Sequence, residues 1–233
     1  MLISHRYRFI FLKTEKTAST SLDDALRRLV QEADDLHLAD PQIRALLLRR
    51  HGSLAGFSFR GATSAWRRKL PGFFGLHQHA RARDVRAFLG PALFDHYTIV
   101  TSERNPWDRQ VSLYAHRMSD RGTKDLSGFD RDMQSWSYSA LHHNRLHNWD
   151  IYSLGDRVCA HHVIRYERLA EDFAEFLRHI GVDPARVPLA QARATARPRG
   201  TVYRDLYSPA SQALVASWYR REIEQFGYSF DAA

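Results

Sequence analysis

Cysteine is nearly absent: Cys159 stands alone among 233 residues, so no disulfide can form within the chain. A reducing compartment, the cytoplasm, is the expected location. Long apolar runs are missing too. Nothing approaches the ~18 to 20 uninterrupted apolar residues of a membrane span, and the apolar stretch near the start, Phe9 to Leu12, is shorter than the roughly 7 residues of an export signal's core. The sequence therefore predicts neither a span nor a leader and leaves peripheral membrane association open. Basic tails, low-complexity tracts and internal repeats are also lacking. The net charge of +8 and pI of 9.9 attract anions, but the arginines are scattered, with WRRK at 66–69 the densest group. That distribution argues against a nucleic-acid partner. Glycine is lacking where it would be diagnostic. The turn KTEKTASTS after Leu12 holds none, and its lysine precedes the small residues, so it is not the GxxxxGK[ST] loop that binds nucleoside triphosphates.

What is present is a globular composition, 44% hydrophobic and 12% aromatic, in a length that predicts one domain spanning 1–233. A strand, polar turn and helix recur three times. Tyr7 to Leu12 reads as a buried strand, followed by Leu22, Ala25, Leu26, Leu29 and Ala33 at helical spacing. HYTIVT at 96–101 precedes SERNPWD and a helix carrying Val111, Leu113, Tyr114 and Met118, with Pro106 near its start. HHVIRYE at 161–167 precedes Leu169, Phe173, Phe176, Leu177 and Ile180, closed by Gly181. No hairpin turn is evident. Alternation of this kind predicts an α/β fold, a parallel sheet flanked by helices. A further helix is expected from Asp40 to about Arg50, a long loop over 182–208, and a last helix from about Pro209 to Phe226.

In such a sheet, ligands bind beyond the carboxyl ends of the strands, where a helix begins with free N–H groups and a positive dipole end. The turn residues Lys16, Thr17, Ala18, Ser19, Thr20 and Ser21 occupy that place: one cation and four hydroxyls suited to an anion. In the second turn Arg104 leaves the strand and Ser112 follows eight residues later, a pair able to hold a phosphate.

KTASTSL resembles the 5′-phosphosulfate loop of the sulfotransferases that use 3′-phosphoadenosine 5′-phosphosulfate (PAPS), commonly PKTGTTSL, with Glu15 in place of the proline and Ala18 in place of the glycine. RNPWDRQVSLY is similar to their 3′-phosphate motif. VIRYERLAEDFAEFLRHIGV and IEQFGYSF extend the likeness, closest to the carbohydrate-type branch with its bacterial relatives; about 37–75 and 119–158 are insertions outside it. The resemblance implies a P-loop-NTPase-like sulfotransferase fold and a PAPS-dependent enzyme, leaving adenosine 3′,5′-bisphosphate (PAP) as product. Such an enzyme would need no metal and would be expected to act on a hydroxyl of a sugar or glycolipid. The resemblance also implies catalytic roles for Lys16, at the bridging oxygen, and for His79 in LHQHARARD as the base, with His77 the alternative. Arg199 and Gly200 would close over the 3′-phosphate. Glu103 or Asp108 is the next choice of base. In HHNRLH, His143 and His147 have helical zinc-pair spacing but lack the glutamate and cysteine partners of known zinc sites. A small-molecule kinase on a similar fold and a basic nucleic-acid-binding protein are the alternative readings.

Overall fold

The computed structural model describes residues 1–4, 6–31, 78–140, 144–189 and 197–231. The expected helix at 40–50, the first insertion, WRRK, His77, His142 and His143 lie outside them. The elements that position the site are, in chain order, β1 (Leu2–Ser4), β2 (Phe9–Leu12), α1 (Ser19–Gln31), α2 (Ala82–Leu89), β3 (Thr98–Glu103), α3 (Pro106–Asp120), β4 (His162–Arg165), α4 (Leu169–His179) and α5 (Pro209–Trp218). The chain divides into two compact units, one of residues 1–103 and 147–191, the other of 104–146 and 192–233.

The first unit is α/β. Its sheet has the order β1-β2-β3-β4, with β2 parallel to β3 and β3 parallel to β4. All four residues of β2 are buried, as suits a central strand covered on both faces. Phe9 and Phe11 share a core with Leu22, Ala25, Leu26 and Leu29 of α1 and with Phe173, Phe176 and Leu177 of α4. The helical periodicity of the sequence is thus the packing face of both helices. One strand departs from expectation: β1 pairs antiparallel with β2, Leu2 opposite Phe11, so the sheet is mixed. The turn between them carries Arg8 at a φ of 51°, with no glycine or asparagine to announce a hairpin.

In the second unit, α3 contributes Trp107, Val111, Tyr114 and Met118 to a core with Val215 of α5 and Tyr219. The single helix expected from 209 to 226 is broken at Tyr219 into Pro209–Trp218 and Arg220–Phe226. Pro106 is the first residue of α3, and the Asn105 side chain caps the helix by accepting from the Trp107 N–H at 3.1 Å.

Candidate active site

The turn from β2 into α1 is built by its own hydroxyls. Thr14 Oγ1 donates to the Ser102 carbonyl at 2.6 Å and lies 2.7 Å from Thr17 Oγ1, which in turn is 2.8 Å from Ser102 Oγ. Ser19 Oγ donates to the Thr14 carbonyl. Thr14, Thr17, Ser19 and Ser102 are all buried. The hydroxyls of Thr17 and Ser19 are therefore engaged in fastening the turn to β3, whereas Thr20 is exposed and Lys16, Ala18 and Ser21 are half-buried.

Backbone hand supplies the rest of the turn's character. Lys16 has a φ of 62° and Ala18 of 59°, while Thr17 between them is not left-handed. Such alternation turns successive N–H groups toward one concavity, the arrangement that binds anions in glycine-rich loops. The Ala18 carbonyl accepts from the Ser21 and Leu22 N–H groups, so α1 starts there and the amides just before that first bond have no helical acceptor. An anion at this point meets oriented donors, the dipole of a 13-residue helix and the Lys16 ammonium.

Lys13, three residues earlier, is a different kind of lysine. A stem packed at the strand end with its amine reaching solvent is the picture the sequence suggests; instead the side chain is 6% exposed with Nζ 3.0 Å from Asp23 Oδ2, an oxygen that also takes Arg27. It is a buried ion pair tying β2 to α1. The Lys13 carbonyl is 2.8 Å from His79 Nδ1. A carbonyl only accepts, so the neutral ring carries its proton on Nδ1 and its lone pair on Nε2. His79 is half-buried just ahead of α2, its ring bonded to the residue that leads from β2 into the turn carrying Lys16.

Asn148, which no motif or spacing singles out, completes this region. It is fully buried, its Oδ1 accepts from the Glu15 N–H at 2.9 Å, and its Nδ2 donates to the Glu15 carbonyl at 3.0 Å. Glu103, at the end of β3, is also fully buried and accepts from the Tyr152 hydroxyl at 2.7 Å, a poor position for a base. Cys159 donates to the Tyr152 carbonyl, and burial pushes its thiol up to about 11, making it a packing residue.

In the second unit, Arg104 Nε donates to Asp108 Oδ2 at 2.7 Å, one helical turn on, and Arg197 donates to Asp108 Oδ1 and to the Thr201 carbonyl. Asp108 is thus occupied by two guanidinium groups. Ser112 follows Asp108 by one more turn and is half-buried. Arg199 and Gly200 are exposed; Gly200 sits at a φ of 77°, which calls for glycine in that turn. The loop arginine engaged with the start of α3 is Arg197. The Arg104–Asp108 pair could be foreseen from its spacing of four, but Arg197, 89 residues from Asp108, could not. Among the described residues, no group of three or more His, Cys, Asp or Glu gathers as a metal site, and His147 stands outside any such group.

Three comparisons bear on this geometry. The sequence profile described as the sulfotransferase family matches residues 1–229. The chain is similar to an uncharacterised protein of Archaeoglobus fulgidus, 30% identical over 102 residues, covering 42% of this chain and 79% of that protein. No solved structure matches it significantly.

Proposed function

Because the chain belongs to the sulfotransferase family, we propose that it takes the sulfuryl group of PAPS and transfers it to a hydroxyl of a carbohydrate or glycolipid. The observation that carries this reading is the turn at 16–20. Two left-handed residues, a helix start and a lysine stand together in a loop held rigid from behind by buried hydroxyls. Such a loop takes a phosphosulfate through its N–H groups and the Lys16 ammonium. The match to the family runs through both compact units, which supports one catalytic domain over 1–233.

In this reading His79 Nε2 takes the proton of the attacking hydroxyl as its oxygen bonds to sulfur. Lys16 neutralises the charge that builds on the bridging oxygen as the sulfur–oxygen bond breaks, leaving PAP. Thr17, Ala18, Ser19, Thr20 and Ser21 hold the 5′-phosphate through the turn's backbone and the outward hydroxyls. Arg104 and Ser112, with the loop at Arg199 and Gly200, are assigned to the 3′-phosphate. All charge neutralisation falls to side chains and amides, so no metal is required. The lone Cys159 fits a cytoplasmic setting, and among the described residues no helix is long and apolar enough to cross a membrane.

PAP without magnesium is expected to raise the melting temperature. A hundredfold excess over Kd adds about 2.7 kcal/mol of stability. An unmoved melting curve with millimolar PAP, alongside a shift with ATP and magnesium, would replace this reading with that of a kinase.

A further inference from the structure

Asn148 stands 133 residues from Glu15 in sequence and pairs with both of its backbone groups, the N–H and the carbonyl. The chemistry fixes the orientation of the amide, since the Glu15 N–H needs an oxygen and the Glu15 carbonyl needs an N–H. Two peptide planes are held in this way, and the second is the one that supplies the Lys16 nitrogen. Lys16 then enters a left-handed conformation, φ 62°, which is unfavourable for an L-residue. Released from Asn148, the 15–16 peptide can rotate and let Lys16 relax, and its Cα–Cβ bond then points elsewhere.

Asn148 itself has a firm mount. Its carbonyl accepts from the Ile151 N–H at 2.9 Å as it opens the short helix Trp149–Tyr152. That helix is fixed to the end of β3 by Tyr152 on Glu103 and closed by Ser153 Oγ on the Trp149 carbonyl, each at 2.7 Å. The turn therefore has two separate fastenings: Thr14, Thr17 and Ser102 behind the amides of the anion loop, and Asn148 behind Lys16. We infer that Asn148 is a positioning residue for sulfuryl transfer, the group that keeps Lys16 left-handed and aims its ammonium. This inference rests on the assignment of Lys16 made above.

Separate fastenings predict separate losses, which a merely structural role would not give. The test uses the full chain with ³⁵S-labelled PAPS and water as the acceptor, so that cleavage yields PAP and sulfate, together with calorimetric titration of PAP. Asn148→Ala should lower cleavage roughly tenfold to a hundredfold, about the cost of misplacing a catalytic group by 1 Å, with PAP affinity nearly that of the wild type. Asn148→Leu, which keeps the volume without the hydrogen bonds, should behave alike and decides the matter if the alanine variant does not fold. Wild-type cleavage in a folded variant overturns the inference, as does a fall in PAP affinity matching the fall in cleavage. Lys16→Ala serves as control: if it cleaves PAPS at the wild-type rate, the assignment of Lys16 is what fails.

Discussion

Ala18 is left-handed, φ 59°, at the mouth of α1, where the resembling loops carry glycine. The family's glycine is intelligible from this angle, and so is the penalty of departing from it. An alanine side chain in the left-handed region costs about 1 to 2 kcal/mol, partly offset because alanine leaves the unfolded chain less entropy to lose than glycine does. Ala18→Gly should therefore stabilise the protein by up to ~1 kcal/mol, or roughly 2 to 4 °C in Tm for a chain of this size. A lower melting temperature in the variant would mean that the surrounding hydrogen bonds, not the intrinsic preference, set the conformation of the turn. At this scale the sequence conveyed residue types well and partners poorly. Lysine, threonine and serine in a turn point to an anion, but which hydroxyls face inward depends on Ser102 of another strand, 85 residues from Thr17. Asn148 is the sharper case, because an asparagine in a segment without periodicity carries no sign of the backbone it will meet.

α3 shows how an element gathers single residues into a site. Asn105 and Pro106 mark its start in the sequence, as N-cap and first helical residue, and the structure begins it there. Starting the helix at that point puts Asp108 and Ser112 one turn apart, with Arg104 a turn ahead of Asp108. Asn105 Nδ2 also donates to the Ser229 carbonyl at 2.8 Å, which ties the cap to the C-terminal segment. Such long-range ties were illegible in the sequence, whereas the helix and its buried face were legible because both follow from local spacing. Arg104→Ala should weaken PAP binding by about 1.5 to 3 kcal/mol, the worth of a hydrogen bond to a charged group, roughly tenfold to a hundredfold in Kd. Turnover of bound PAPS should change little, since the phosphate assigned to Arg104 does not react. Arg197 remains on Asp108 in that variant, so the carboxylate is not stranded and the fold should persist. Calorimetry returning the wild-type affinity would remove Arg104 from the donor site.

Across the whole molecule, the sequence pattern conveyed the alternation of strands and helices, and with it the parallel pairings, because each helix must bury one apolar face against the sheet. It missed β1, whose three residues are too few for any periodicity to show. It also gave no hint of how His162 is placed, and that placement bears on the response of stability to pH. On β4, His162 lies with its ring 4.4 Å from that of His179 and 5.8 Å from Phe176, centroid to centroid. Burial, then the nearby His179 and His161, lower its pKa, with Glu175 acting in the opposite direction. The folded value thus lies below the unfolded value of about 6.5, and between the two the unfolded chain binds more protons than the folded one. Stability falls as pH drops through that window and is retained above it. Each added proton also raises a net charge that is already +8. The urea midpoint should accordingly be lower at a pH about one unit below 6.5 than at one unit above it. His162→Phe, which keeps a ring beside Phe176 and cannot ionise, should narrow that difference. A midpoint unchanged across the window, or an equal drop in the variant, would show that His162 does not carry the acid sensitivity of the fold.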